Sequence, residues 1–163
     1  MNLFILSINP VECACMMMDK HIIKIILEGV QMLCTAKRLL DPDDVICEKL
    51  YKMCHKNHPV TIWVRSSLEN YMWTLDLIDA MHGEWQYRYG HNKIHKAYEV
   101  AILLRENPPT HFEKCGLTPF AKAMPEIYKQ IEDPVEAYKQ YYLSEEKRKI
   151  ATWKKRVKPD WFV

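Results

Sequence analysis

Residues 16–40 read MMMDKHIIKIILEGVQMLCTAKRLL, and this stretch decides the fold class. Ile22, Ile23, Ile25, Ile26, Leu27, Val30, Met32 and Leu33 make it apolar on most sides of a helix, which predicts a segment buried nearly all round. Its polar residues fall at His21, Lys24, Glu28, Gln31 and Thr35. Steps of three and four put all five on one narrow stripe, since seven residues return a helix to within about 20° of its start. The stripe faces either a strip of solvent or a polar cleft. In a cleft, partial burial would shift the ionisation of a histidine, a lysine and a carboxylate toward values useful in chemistry.

The rest of the chain fits around such a helix. Leu3–Ile8 is a short strand or an extended arm, and Asn9-Pro10 caps and opens a helix that is expected to run to Leu40. Residues 45–58 read as a short helix or irregular segment. Pro59 opens a second long helix to Tyr89, with Gly90 as its C-cap and Gly83 as a point of kinking. A third spans Lys93 to Glu106, before Asn107-Pro108-Pro109. Thr118-Pro119 starts a short helix and Pro125 another turn. Asp133-Pro134-Val135-Glu136 is the strongest start signal, with Asp as cap, Pro at the first position and Glu at the third. That helix is expected to carry the basic stretch near its far end. The sum is a mainly α, single compact domain covering residues 1–163.

At 163 residues the chain is one domain, long enough to bury roughly 70% of its unfolded surface without a metal or disulfide. With 48% hydrophobic and 27% charged residues it is neither disordered nor fibrous. Only 4 glycines, with no GxGxxG and no GxxxxGK, exclude nucleotide binding through the two standard glycine-rich loops. No run of 18 apolar residues exists, so no membrane span is expected. The apolar start lacks a basic flank and is too short for a secretory signal. That points to a reducing cytoplasm and to free thiols at Cys13, Cys15, Cys34, Cys47, Cys54 and Cys115. Net charge is only +2, yet Lys147, Arg148, Lys149, Lys154, Lys155, Arg156 and Lys158 form a basic end without one acidic residue. Such asymmetry suits an anionic partner.

The segment DKHIIKIILE, residues 19–28, resembles the first-helix segment of pyrimidine-dimer DNA glycosylases of the endonuclease V type, which carry an Asp-x-His and a Glu seven residues after the His. Bacterial relatives in the same group share the Asn57-His58-Pro59 turn and a turn like Tyr87-Arg88-Tyr89-Gly90. The whole chain also resembles a family of tailed phages and large DNA viruses without an assigned activity, through DKHIIKIILE, HKNHPVTIW, YRYGHNKIHK, LTPFAKAMP, DPVEAYKQYY and a Trp/basic tail. The glycosylase resemblance implies a helical enzyme whose α-amine attacks C1′ of a damaged nucleotide, giving an imine cleaved by β-elimination. An α-amine titrates near 7.7–8.0 against about 10.4 for lysine, so a workable fraction of such groups is unprotonated at neutrality. The resemblance makes Glu28 the catalytic carboxylate and His21 a ligand of sugar or phosphate. The family terminus is a Thr exposed by removal of Met, whereas position 2 here is Asn, so the amine belongs to Met1 or to Asn2. The family's Arg beside the Glu is replaced by Leu27.

Besides His21 and Lys24, candidates to hold the substrate are His58, Arg65, Arg88, His95 and the tail residues Lys154, Lys155 and Arg156. Several have plainer readings. His58 starts a helix, Arg65 pairs with Glu69 at i,i+4, and Arg88, His91, Lys93, His95 and Lys96 form either a solvated loop or a phosphate-holding cluster facing the stripe. Trp63, Tyr71, Trp73, Trp85, Tyr87 and Tyr89 are core residues or base-stacking platforms. Cys47, Cys54, His55 and His58 lack the second tight pair that a zinc site needs, with His91/His95 the one candidate, so no metal and no cofactor is expected. The partner is DNA or a nucleotide-like anion. The alternative to a glycosylase/lyase is a non-catalytic viral protein that binds nucleic acid or a nucleotide and interferes with a host pathway, in the host cytoplasm.

Overall fold

The computed structural model describes all residues 1–163. It holds α1 (Pro10–Met16), α2 (Asp19–Leu40), a 3-10 turn (Val45–Lys49), α3 (Pro59–Val64), α4 (Leu68–Tyr89), α5 (Lys96–Glu106), α6 (Glu126–Lys129), α7 (Pro134–Tyr142) and α8 (Glu145–Arg148). There is no strand beyond one isolated bridge between Ser67 and Lys114. No helix is long and apolar enough to cross a membrane.

The central helix is α2, packed chiefly on α4 and also on α5 and α3, while α1 lies against α4. Ile22, Ile25, Ile26, Val30 and Leu33 of α2 join Tyr71, Leu75, Ile78 and Met81 of α4 in one core. The two helices approach closely at Gly29, where a Cβ would lie 3.1 Å from Ile78 Cδ1. Leu3–Leu6 is an extended arm, not a strand, and all four of its residues are buried. The aromatic residues are largely core: Trp63, Trp73 and Phe120 form one cluster, and Trp63 and Trp73 donate their indole N–H groups to the carbonyls of Thr118 and Ile8.

Several caps fall where the sequence puts them. Asn9 accepts from Val11 and Glu12, Asp133 accepts from Glu136, and Gly90 ends α4 in the left-handed region at φ 66°. Four expectations need correction. The helix expected from Pro10 to Leu40 breaks at Met17–Met18, both extended, because the Arg88 guanidinium takes up the carbonyls of Ala14, Cys15 and Met17 that end α1. The helix expected from Pro59 to Tyr89 breaks at Arg65–Ser67, where the Ser67 hydroxyl accepts from Asn70 and starts α4 anew; α4 itself runs uninterrupted through Gly83. The third helix begins at Lys96, capped by His95, rather than at Lys93. Residues 118–124 form no helix; the Asn70 side chain holds Thr118 through bonds of 2.7 and 2.9 Å.

The basic stretch is likewise not the far end of the helix opened by Asp133. That helix stops at Tyr142, and the seven cations lie on α8 and the irregular tail after it. The tail is nonetheless fixed. Thr152 Oγ1 and the Lys154 N–H donate to the Asp19 carboxylate, and Trp153 Nε1 donates to the Met16 carbonyl.

Candidate functional site

The stripe on α2 divides. Thr35 is buried and donates to the Cys54 carbonyl, a structural tie. His21, Lys24 and Glu28 line a cavity of about 270 Å³. That is just below the roughly 300–1,000 Å³ usual for small-molecule sites, so it suits a sugar or phosphate group of a larger ligand. The outer flank of α2 is more open than the sequence implies, since Ile23 and Leu27 are exposed.

The chain start forms the cavity's second wall. The arm lies along α2 so that the Asn2 backbone N–H donates to Glu28 Oε2 at 2.7 Å, and the Met1 α-amine stands 3.6 Å from the same oxygen. Asn2 is pinned at its far end, where Nδ2 donates to the Ala123 carbonyl at 2.7 Å. The Glu28 side chain is only 13% exposed, and Lys24, 69% exposed, reaches its other oxygen at 3.9 Å from the rim.

The third wall is aromatic and cationic. Phe4 stacks on His21 with ring centres 4.2 Å apart. Tyr141 and Lys147 complete it, and the Lys147 ammonium lies over the Phe4 and Tyr141 rings at 5.2 and 5.0 Å. Such contacts offset part of the loss of hydration at a largely buried ammonium. Three cationic groups (the amine, Lys24 and Lys147) thus face one carboxylate, and the cavity favours an anion. His21 adds no charge. Burial, and then Lys147, Lys24 and Lys20, push its pKa down to about 3, so the ring is neutral at physiological pH. Lys147 stands in the basic stretch, but nothing in its local sequence marks it out from the other six cations.

The other candidates do not line this cavity, although His58 is close enough for the amino terminus and Glu28 to act on its charge. Arg88 is fully buried; it pairs with Glu84 at 2.8 Å and Asp19 at 3.1 Å and closes the end of α1, so it cannot meet a phosphate. Arg65 does not pair with Glu69; it donates to the Lys56 carbonyl, while Glu69 accepts from the Gly116 N–H. His58 caps α3 by accepting from Val60, and His95 caps α5 by accepting from Ala97. Burial lowers the pKa of both; at His58 the positive amino terminus and His55 lower it further. Neither His91 nor His95 is helical, and His91 packs against Trp85 at 4.3 Å. None of the residues around Gly90 lines the Glu28 cavity.

The tail triplet also keeps away from that cavity. Arg156 pairs with Glu84, Lys155 donates to the Tyr87 carbonyl at 3.0 Å, and the Lys154 ammonium lies over the Tyr89 ring. Of the seven basic residues from Lys147 to Lys158, Lys147 alone lines it.

A wider cleft of about 620 Å³ lies where α2 ends against residues 106–111. Its polar groups satisfy one another: buried Lys37 bonds Asp41 and Asp44, both at 2.8 Å, and His111 bonds Asp41. No group of three or more His, Cys, Asp or Glu side chains is placed to hold a metal ion, and all six cysteines are free. The chain matches no protein family model, no characterised protein and no solved structure.

Proposed function

We propose that the protein is a DNA glycosylase/abasic-site lyase in which the amine heading the chain is the nucleophile and Glu28 is the general acid and base. The observation that supports this most is the approach of the Met1 amine and the residue-2 nitrogen to one half-buried carboxylate inside a cationic cavity. The unprotonated amine attacks C1′ and forms the C–N bond. At a damaged nucleotide the glycosidic bond breaks and the base leaves with the electron pair, taking up a proton from solvent. Glu28 accepts the proton that the nitrogen loses and returns one to O4′ as the sugar ring opens to the imine. It then removes a proton from C2′, and the C3′–O bond breaks with its electron pair departing on the 3′ phosphate. Water hydrolyses the imine, releasing the sugar as an unsaturated aldehyde and regenerating the amine. Lys147 and Lys24 offset the charge of the flanking phosphates.

The residue-2 nitrogen is the nearer of the two, and Asn2 is already anchored through Ala123. Removal of Met1 would turn that nitrogen into the α-amine without moving it and add the methionine's volume to the cavity. Either amine predicts a covalent adduct trapped by borohydride with abasic-site DNA. The adduct is expected to fall at least a hundredfold in Glu28→Gln and to vanish on acetylation of the terminus. Intact mass identifies which residue carries it. No adduct from folded protein, beside a working control enzyme, refutes the lyase. The excess of cations over carboxylates in the cavity favours a second reading, non-catalytic binding of a nucleic acid or nucleotide, whose signature is undiminished binding without any adduct.

A further inference from the structure

Behind the cavity wall, the Tyr142 hydroxyl lies 2.6 Å from His21 Nδ1 and has no other side-chain partner. Tyr142 is fully buried. Burial holds its hydroxyl protonated, far above the usual tyrosine range. A buried O–H without an acceptor is strongly disfavoured, and Nδ1 is the acceptor within reach. Nδ1 is therefore the bare nitrogen, and a neutral imidazole with a bare Nδ1 carries its proton on Nε2. The ring cannot swing away, because Phe4 stacks on one face and Tyr142 meets it edge-on at 5.2 Å.

Burial first, and then the cations around the ring, keep it neutral. Lys147 faces it from α8, Lys20 and Lys24 from its own helix, and the Met1 amine and Glu28 share the cavity. We propose that Tyr142 is a positioning residue that fixes His21 as the Nε2–H tautomer, so that the cavity presents a neutral N–H donor beside the Lys147 ammonium to an oxygen acceptor of a deoxyribose phosphate. The recognition part rests on the reading of the cavity as the lyase site; the tautomer does not. The pairing sets a specificity rule. A ligand offers lone pairs at His21, and one presenting a donor there leaves two hydrogens facing each other.

Ring ¹⁵N NMR of the histidine-labelled protein tests the assignment without reference to activity. The expected wild-type spectrum shows His21 with an unprotonated Nδ1 and a protonated Nε2, unchanged from pH 8 to pH 5. In Tyr142→Phe the two tautomers exchange or the proton moves to Nδ1. A wild-type ring protonated at Nδ1, or a Tyr142→Phe spectrum identical to wild type, overturns the proposal. If Tyr142→Phe fails to fold, the wild-type spectrum still decides the tautomer. The role in recognition is read from borohydride trapping with abasic-site DNA: His21→Gln, which keeps a neutral N–H, retains about tenfold more adduct than His21→Phe, which keeps only the stacking. Equal adduct in these two variants refutes the donor role. A wild-type Nε2–H tautomer in a protein that traps nothing supports the assignment while removing the lyase reading.

Discussion

Arg88→Ala should unfold much of this protein's stability without touching ligand binding directly. The guanidinium makes bonds of 2.8 Å to Glu84, 3.1 Å to Asp19 and 2.7, 3.0 and 3.3 Å to the carbonyls of Met17, Cys15 and Ala14. Truncation removes a donor from all five acceptors at the junction of α1, α2 and α4. Breaking a buried ion pair by removing one partner costs about 3–5 kcal/mol. Two features hold the loss inside that range. Glu84 keeps Arg156, and Asp19 keeps Thr152 and the Lys154 N–H. About 3–5 kcal/mol is a fifth or more of a typical domain's roughly 5–15 kcal/mol, so the variant moves markedly toward its unfolding threshold. Urea unfolding followed by circular dichroism measures the effect as a fall in midpoint at unchanged slope. Arg88→Met, which retains most of the volume, should lose less than Arg88→Ala but still more than ~1 kcal/mol. A loss under about 1 kcal/mol in Arg88→Ala, accompanied by weaker DNA binding, refutes the structural assignment and returns Arg88 to the phosphate ligands.

Acid should destabilise the fold through His21. Its folded pKa, near 3, lies below the ordinary 6.5, so the unfolded chain binds the extra proton first. Stability is then full above about pH 6.5 and falls by up to ~1.4 kcal/mol per pH unit toward pH 3, a slope that His21→Gln should remove in pH-dependent urea titrations. On the proposed reading, Lys147→Met should make the slope of log K against log salt on duplex DNA shallower by about 0.9, the contribution of one phosphate. Lys154→Ala with Lys155→Ala should change that slope by up to about 2 if the tail also meets the backbone, and an unchanged slope removes the tail from the interface. Gly29→Ala places a methyl group 3.1 Å from Ile78 Cδ1 and 3.4 Å from Leu3 Cδ2, so calorimetry should show none of the roughly 1 kcal/mol that alanine gains over glycine inside a helix.

What the sequence made legible was whatever is encoded within one helical turn or two. The spacing of His21, Lys24 and Glu28 was enough to put them together, and Asn9, Gly90 and Asp133-Pro134 marked helix ends through their own side chains and backbone. The break at Met17–Met18 was hidden because its determinant is Arg88, a residue 71 positions from Met17. Ser67, by contrast, was a readable cap overlooked inside a long apolar pattern. Arg88 looked like a surface cation because charge in a sequence carries no sign of burial, and only Asp19 and Glu84 together explain why it is inside. Lys147 was seen as one of seven tail charges; its selection by Phe4 and Tyr141 depends on where α8 lands.

The first turn of α2 links these observations. Asp19 and His21 are two residues apart and point to opposite clamps: Asp19 to Arg88 and the tail, His21 to Tyr142 and Phe4. A helix rises about 1.5 Å per residue, so Glu28 sits roughly 10 Å further along the same rigid rod. The amine's position relative to Glu28 is set separately, through Asn2 and the Ala123 carbonyl, and Tyr138 fixes that segment by accepting from the Ala123 N–H and donating to the Ala121 carbonyl. The cavity is therefore assembled from four stretches distant in sequence, each tied to the backbone or to a buried charge. Loosening the Arg88 clamp frees the start of α2, and His21 with it, while the Asn2–Glu28 contact keeps its own support. Arg88→Met should accordingly disturb the His21 tautomer before it disturbs the amine, so His21 ring signals broaden at denaturant concentrations where the adduct that the proposed lyase reading requires still forms. Loss of both at the same concentration would show that the cavity melts as one unit and that α2 is not clamped at its first turn.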